Sequence, residues 1–252
     1  MLDLALLFVV SLVANTLSSL AGGGAGLLQL PILLFLGLAF PVALATHKLA
    51  SVALGVGATL KHLRSRTLDW RFALVVLGFG LPGVWLGATV ILHVPEHAAL
   101  IALAVLTTGL GIHSLLSPEL GQYDAATNRA GWRLWLGGAV LFLIGVLNGS
   151  LTSGTGLFVT LWLIRWFGMD YKQAVAYTLV LVGLFWNGTG ALALALQAGI
   201  HWPWVPVLLA ASVLGGYLGA HWGLVRGNHT IKRAFEMVTI ATGMSLFWKA
   251  FF

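Results

Sequence analysis

Charged residues are scarce in this chain: Asp, Glu, Lys and Arg make up 8% of its 252 residues, against roughly 25% in a soluble domain. So little charge excludes water as the main solvent around the folded molecule. Cysteine is absent, which excludes disulfides, thiolate metal sites and cysteine nucleophiles. There are seven carboxylates in all. Glu236 falls marginally inside an apolar segment and the others lie at or beyond segment ends, so neither a buried carboxylate relay nor an oxygen-rich cation site is expected. The chain lacks His-Glu-x-x-His, paired aspartates, and a serine with a base at helical spacing, the marks of an intramembrane enzyme. Ser153-Gly154 alone does not make one.

Apolar residues dominate instead, at 59% with a mean hydropathy of +0.97. A helix needs about 20 apolar residues to cross a bilayer, so the length supplies on the order of eight to ten spans in one integrated bundle. Leu4 to Leu20, Phe72 to Leu92 and Val205 to Leu224 are apolar on all sides. A barrel strand would alternate, so the expected class is an all-α, polytopic membrane protein. The first segment, Leu2 to Leu20, lacks a basic leader and runs straight into Gly22, which reads as a span of the mature protein. Further segments are expected at Ala25 to Leu38, Val42 to Leu63, Ala98 to Leu116, Leu134 to Leu147, Gly154 to Phe167, Ala174 to Leu196 and Ala234 to Phe251.

The polar stretch Ser117 to Arg133 divides the chain into two parts that match at a spacing of roughly 131 residues, as from Ala43 to Ala174. Gly24 and Gly26 fall on Gly154 and Gly156, Gly57 on Gly188, Gly83 and Gly87 on Gly215 and Gly219, and Thr108-Gly109 on Thr242-Gly243. The organisation expected is a first repeat over 1–117, a central cytoplasmic loop over 118–133 and a second repeat over 134–252. Lys61, Arg64, Arg66, Arg71, Arg129, Arg133, Arg165, Lys172, Arg226, Lys232 and Arg233 all fall in loops on one side, while the turns at Phe40-Pro41, Val94 to His97 and Gln197 to Trp202 hold no Lys or Arg. The positive-inside rule makes the basic side cytoplasmic and the membrane the cell's inner (plasma) membrane. It also accounts for the net charge of +6 without a nucleic-acid partner. Equivalent turns then lie on opposite sides, so the halves are inverted repeats of about five helical segments each, an architecture of secondary transporters. Trp70, Trp132, Trp166, Trp202, Trp204 and Trp248 lie near segment ends and read as interfacial anchors.

Each half begins with an interruption: Ala21 to Gly26 in the first, Asn148 to Gly156 in the second. Broken backbone at membrane depth is tolerated only where it is buried or lines a cavity, and the helix restarting after it presents free N–H groups and a positive dipole end. Gly24, Gly26, Gly154 and Gly156 mark those starts. Asn148, Ser153 and Thr155, with Ser150 and Thr152, offer hydrogen bonds to the oxygens of a tetrahedral anion. An ionisable cluster, Thr46-His47-Lys48, lies two turns into an apolar helix, where Lys48 either neutralises an anion or snorkels to the interface. Trp186, Asn187 and Thr189 occupy the corresponding helix of the second half and either complete the site or serve packing. His47, His62, His113 and His221 are the candidates for a coupling proton; no cofactor or metal is expected.

The Gly22-Gly23-Gly24-Ala25-Gly26 break with its downstream Pro31, the Ala43 to Leu49 run and the break at Asn148 to Gly156 together make the chain resemble the sulfite exporter TauE/SafE family over essentially its whole length. The resemblance implies a small permease of two repeated halves that moves sulfite or an organosulfonate, such as sulfoacetate or an aromatic sulfonate. Many relatives carry Asn where this chain has His47, so the family pattern extends to Thr46 and Lys48 more directly. The expected partners are a small anionic substrate and membrane lipid. A non-transporting membrane scaffold and an anion channel are the alternatives.

Overall fold

A computed structural model describes residues 2–62, 68–90, 96–151 and 154–251. Thr152, Ser153, Arg64, Arg66, Val94 and Pro95 lie outside these described residues. Among the described residues the chain is helical throughout, with no strand. Its elements are α1 (Leu2–Ala21), α2 (Gly26–Phe35), α3 (Phe40–His62), α4 (Trp70–Val90), α5 (Glu96–Leu115), α6 (Gly131–Leu151), α7 (Thr155–Arg165), α8 (Tyr171–Tyr177), a π-helical segment (Thr178–Trp186), α9 (Asn187–Ala198), α10 (Val205–Arg226) and α11 (Asn228–Phe251).

Helix α1 shows what drives the assembly. Leu6, Val9, Val13 and Leu17 stand exposed along one face, while Ser11, Asn15, Ser18 and Ser19 are buried. That pattern is inverted relative to a water-soluble helix and fits lipid on the outer face. Among the described residues, six helices, or helices continuous with the π segment or a short 3-10 turn, are long and apolar enough to cross a membrane: Leu4–Ala21, Phe40–His62, Trp70–Val90, Gly131–Ser150, Tyr171–Ala198 and Trp202–Arg226. Helices α2 and α7, of 10 and 11 residues, rise about 15 Å and cannot cross a core of about 30 Å. Helix α11 has the length, but it starts earlier than the sequence suggested and takes in Lys232, Arg233 and Glu236.

Small residues let the long helices meet at backbone distance. A Cβ added at Gly83 would lie 2.2 Å from the Phe142 carbonyl oxygen, and one at Gly87 2.0 Å from that of Val146, so α4 lies directly on α6. The same holds for α10 on α1: Gly215 would meet the Leu12 oxygen at 2.8 Å and Gly219 that of Thr16 at 2.3 Å. At the centre α3 crosses the π segment at Gly55 and Gly183, where a Cβ on Gly55 would sit 2.7 Å from the Gly183 carbonyl carbon. Gly219→Leu is therefore expected to cost about 3 kcal/mol through forced helix separation, and Gly87→Leu a similar amount. Thermal unfolding in detergent measures both; a loss below about 1 kcal/mol in either would show that this packing is not limiting.

The central polar stretch, expected as a plain interhelical loop, is tied down over the basic side of the bundle. The Ala125 amide donates to the Gly168 carbonyl (2.7 Å) and that of Thr127 to Phe167 (3.1 Å). Asn228 at the start of α11 donates to the Gln122 carbonyl (3.0 Å) and to Asp170 (3.3 Å) and accepts from the Lys172 amide (3.0 Å). Beneath it Lys232 is ion-paired with Glu236, and Ser114 links Glu236 to the Tyr171 hydroxyl, each at 3.0 Å. Glu236 is thus a buried structural partner in the interior of α11, correcting the marginal position read from sequence.

Candidate functional site: a cavity between two helix breaks

The two glycine-rich breaks, far apart in sequence, touch. A Cβ on Gly23 would lie 2.6 Å from the Leu157 amide nitrogen and 2.7 Å from the Gly156 carbonyl carbon. Gly23 adopts φ +148, a conformation that L side chains rarely take. The first break is confined to Gly22–Ala25. The second is shorter than sequence suggested: Asn148, Gly149, Ser150 and Leu151 remain helical at the end of α6, because the apolar run preceding them carries the ladder onward. Gly154, in the left-handed region at φ +77, ends that break. Neither α2 nor α7 has a side-chain cap at its N-terminus, so no side chain offsets the positive dipole end of either helix at the break.

A cavity of about 40 Å³ opens where the breaks meet, lined by Gly23, Gly24, Ala25 and Gly26 from one and Thr155 and Gly156 from the other. One water needs about 10–15 Å³ by comparison, so the space fits a small oxyanion. Helix α1 contributes Ser18, and α3 contributes His47, Ser51 and Leu54 at one-turn intervals. Asn148 closes it from α6 and Asn187 from the far side.

The π segment determines which side chains reach this space. Thr178, Leu179, Val182, Gly183 and Asn187 all line it. In an α-helix the nine-residue step from Thr178 to Asn187 is about two and a half turns and would put them on opposite faces. An i→i+5 ladder winds at about 4.4 residues per turn and brings them to the same face. The Asn187 amide reaches back to the Val182 carbonyl in that manner.

Lys48 is completely buried, which removes the snorkelling alternative. Its stem passes beneath Gly190, where a Cβ would come within 2.9 Å of it. The ammonium donates to both oxygens of Asn148, to the carbonyl at 2.7 Å and to Oδ1 at 3.2 Å. No carboxylate pairs with it among the described residues. With Oδ1 taken, the Asn148 NH2 group donates to Thr155 Oγ1 (2.8 Å) and to Asn187 Oδ1 (3.4 Å). Lys48 therefore stands one layer behind the cavity wall and sets the orientation of the amide that forms it.

His47 lies in the wall itself. Its Nδ1 meets Gln29 Oε1 at 2.6 Å, and its Nε2 lies 3.3 Å from the Ser51 hydroxyl. Gln29 in turn donates to Ser11 (3.0 Å), so a buried polar string runs from α3 through α2 to α1.

Other expected residues fall elsewhere. Thr46 donates to the Val42 carbonyl (2.7 Å) and accepts from the His201 amide (3.0 Å), tying α3 to the turn before α10. Trp186 is fully buried and packs where a Gly80 Cβ would be, 1.7 Å from its ring. Thr189 is half-buried on α9 and is not part of the lining. Gly154 is likewise not part of the lining, and Ser153 falls outside the described residues. Ser18, Ser51 and Thr178 were missed by sequence reasoning. Ser51 follows His47 by one helical turn, the signal that would have found it.

The sequence pattern of the family described as Sulfite exporter TauE/SafE matches residues 7–246 of the chain. A probable membrane transporter protein of Haemophilus influenzae is 31% identical to it, over 96% of this chain and 92% of the relative. The probable membrane transporter protein YfcA of Escherichia coli K12 is 27% identical over 97% and 90%, and the probable membrane transporter protein YunE of Bacillus subtilis is 23% identical over 98% of both chains. No solved structure matches it.

Proposed function

Since the chain belongs to the sulfite exporter TauE/SafE family, we propose that it is a secondary transporter that carries a small sulfur-containing anion, sulfite or an organosulfonate, across the inner membrane by alternating access. One observation carries the anion reading. Lys48 is buried completely, bonds only neutral oxygens of Asn148, and has no carboxylate counter-ion among the described residues. An ammonium held in the bundle without an opposite charge is costly, and a bound anion beside it relieves that cost. The two uncapped helix starts add partial positive charge at the same place.

Alternating access is supported by the equivalence of the two halves. Gly83 and Gly87 seat α4 on Phe142 and Val146 of α6, while their counterparts Gly215 and Gly219 seat α10 on Leu12 and Thr16 of α1. Paired breaks and equivalent interfaces of this kind belong to inverted-repeat carriers whose halves exchange roles around a fixed site.

Counterflow tests the function. In proteoliposomes preloaded with unlabelled sulfite, labelled sulfite outside is expected to accumulate transiently above its equilibrium level. Simple equilibration would indicate a pore, and no protein-dependent uptake of sulfite, sulfoacetate or toluenesulfonate by folded protein would overturn the transport reading.

A further inference from the structure

Resting on the anion-site reading, we infer that the central cavity selects singly charged over doubly charged oxyanions, and among these the ones with no substituent or a small one. Among the described residues its walls carry no Lys, Arg, Asp or Glu side chain. The single full charge bonded to those walls is Lys48, through Asn148. Among the described residues His47 is the one titratable group in the lining, and both its ring nitrogens are engaged within the bundle, Nδ1 by Gln29 and Nε2 by Ser51. The other polar side chains of the lining are hydroxyls and amides, those of Ser18, Ser51, Thr155, Thr178, Asn148 and Asn187.

Charge number decides the preference. The desolvation cost of an ion grows as the square of its charge, so a dianion costs roughly four times what a monoanion of the same size does. Its attraction to one fixed cation only doubles. A monoanion and Lys48 together form a neutral pair, whereas a dianion leaves one negative charge unmatched in a buried space. Size sets the second limit. A cavity of about 150 Å³ is enough to hold benzene, and the volume here is about 40 Å³. Leu54, Leu179 and Val182 in the lining suit one small apolar substituent. The class that fits is hydrogensulfite or a short-chain sulfonate, not sulfate, the sulfite dianion or an arenesulfonate.

Methanesulfonate and sulfate share tetrahedral shape and size and differ in charge, which makes them the discriminating pair. Calorimetric titration of the full-length detergent-purified protein, at matched ionic strength, is expected to show saturable methanesulfonate binding at least tenfold tighter than sulfate or benzenesulfonate. Sulfate binding as tight as methanesulfonate would overturn the charge rule and leave the anion site standing. Benzenesulfonate binding as tight would overturn the size limit alone. If folded protein binds none of these and no sulfite at any pH, the anion-site reading itself falls.

Discussion

Substituting Lys48 by methionine is expected to abolish saturable anion binding while leaving the unliganded protein nearly as stable as before. Among the described residues the ammonium supplies the only full positive charge bonded to the cavity wall, and it fixes Asn148 with Oδ1 toward itself and NH2 toward Thr155 and Asn187. Losing a charge-assisted interaction together with the orientation of the amide behind it is expected to weaken binding a hundredfold or more. Stability responds differently. Methionine fills the passage beneath Gly190 and removes a buried charge, which is often neutral or stabilising. Against that, two Asn148 oxygens lose their donor, at about 1–3 kcal/mol for each group left unsatisfied. The two terms oppose each other, and the melting temperature without ligand is expected to move by no more than a few degrees. A purely structural lysine would give the reverse pattern, a strongly destabilised protein. Titration and thermal unfolding of the same preparation separate the cases, and anion affinity within threefold of the wild type would remove Lys48 from the site.

Much of this arrangement was legible in the chain because the bilayer allows few solutions. A segment apolar on all sides must be a helix, and paired glycine-rich interruptions must lie where backbone is sheltered. The cavity accordingly sits between Gly23–Gly26 and Thr155–Gly156, with His47, Asn148 and Asn187 in its walls. What could not be read is what depends on winding and on depth. Nothing in the apolar run Thr178 to Trp186 announces a π ladder, yet that ladder is what turns Thr178 and Asn187 to one face. Without it, Trp186 and Thr189 were equally good candidates as Asn187. Lys48 was found by its charge, but its position one layer behind Asn148 depends on how closely α3 and α9 approach at Gly190. Thr46 shares the same polar run and faces the opposite way, toward His201.

The largest loss of all is expected from Gly23→Ala, which adds one methyl group where the two halves of the chain meet. The positive φ alone costs about 1–3 kcal/mol for a residue with a Cβ. The added carbon would also lie 2.6 Å from the Leu157 nitrogen and 2.8 Å from Gly156 Cα, atoms of a helix start with no flexible side chain to swing aside. Relief requires that the breaks move apart. Thr160, which bonds the Gly22 carbonyl and the Thr178 hydroxyl at 2.9 Å each, would be pulled with them, and so would the π segment behind it. We therefore expect a destabilisation of about 3 kcal/mol or more together with complete loss of anion binding. Gly37→Ala provides the comparison, since Gly37 also has a positive φ, of +93, yet a Cβ there meets nothing within 4 Å. It should show the conformational cost without the collision, unfolding at a lower temperature while keeping wild-type affinity. Were Gly23→Ala to bind anions normally, the two breaks could not form one site, and the cavity between them would be a packing void.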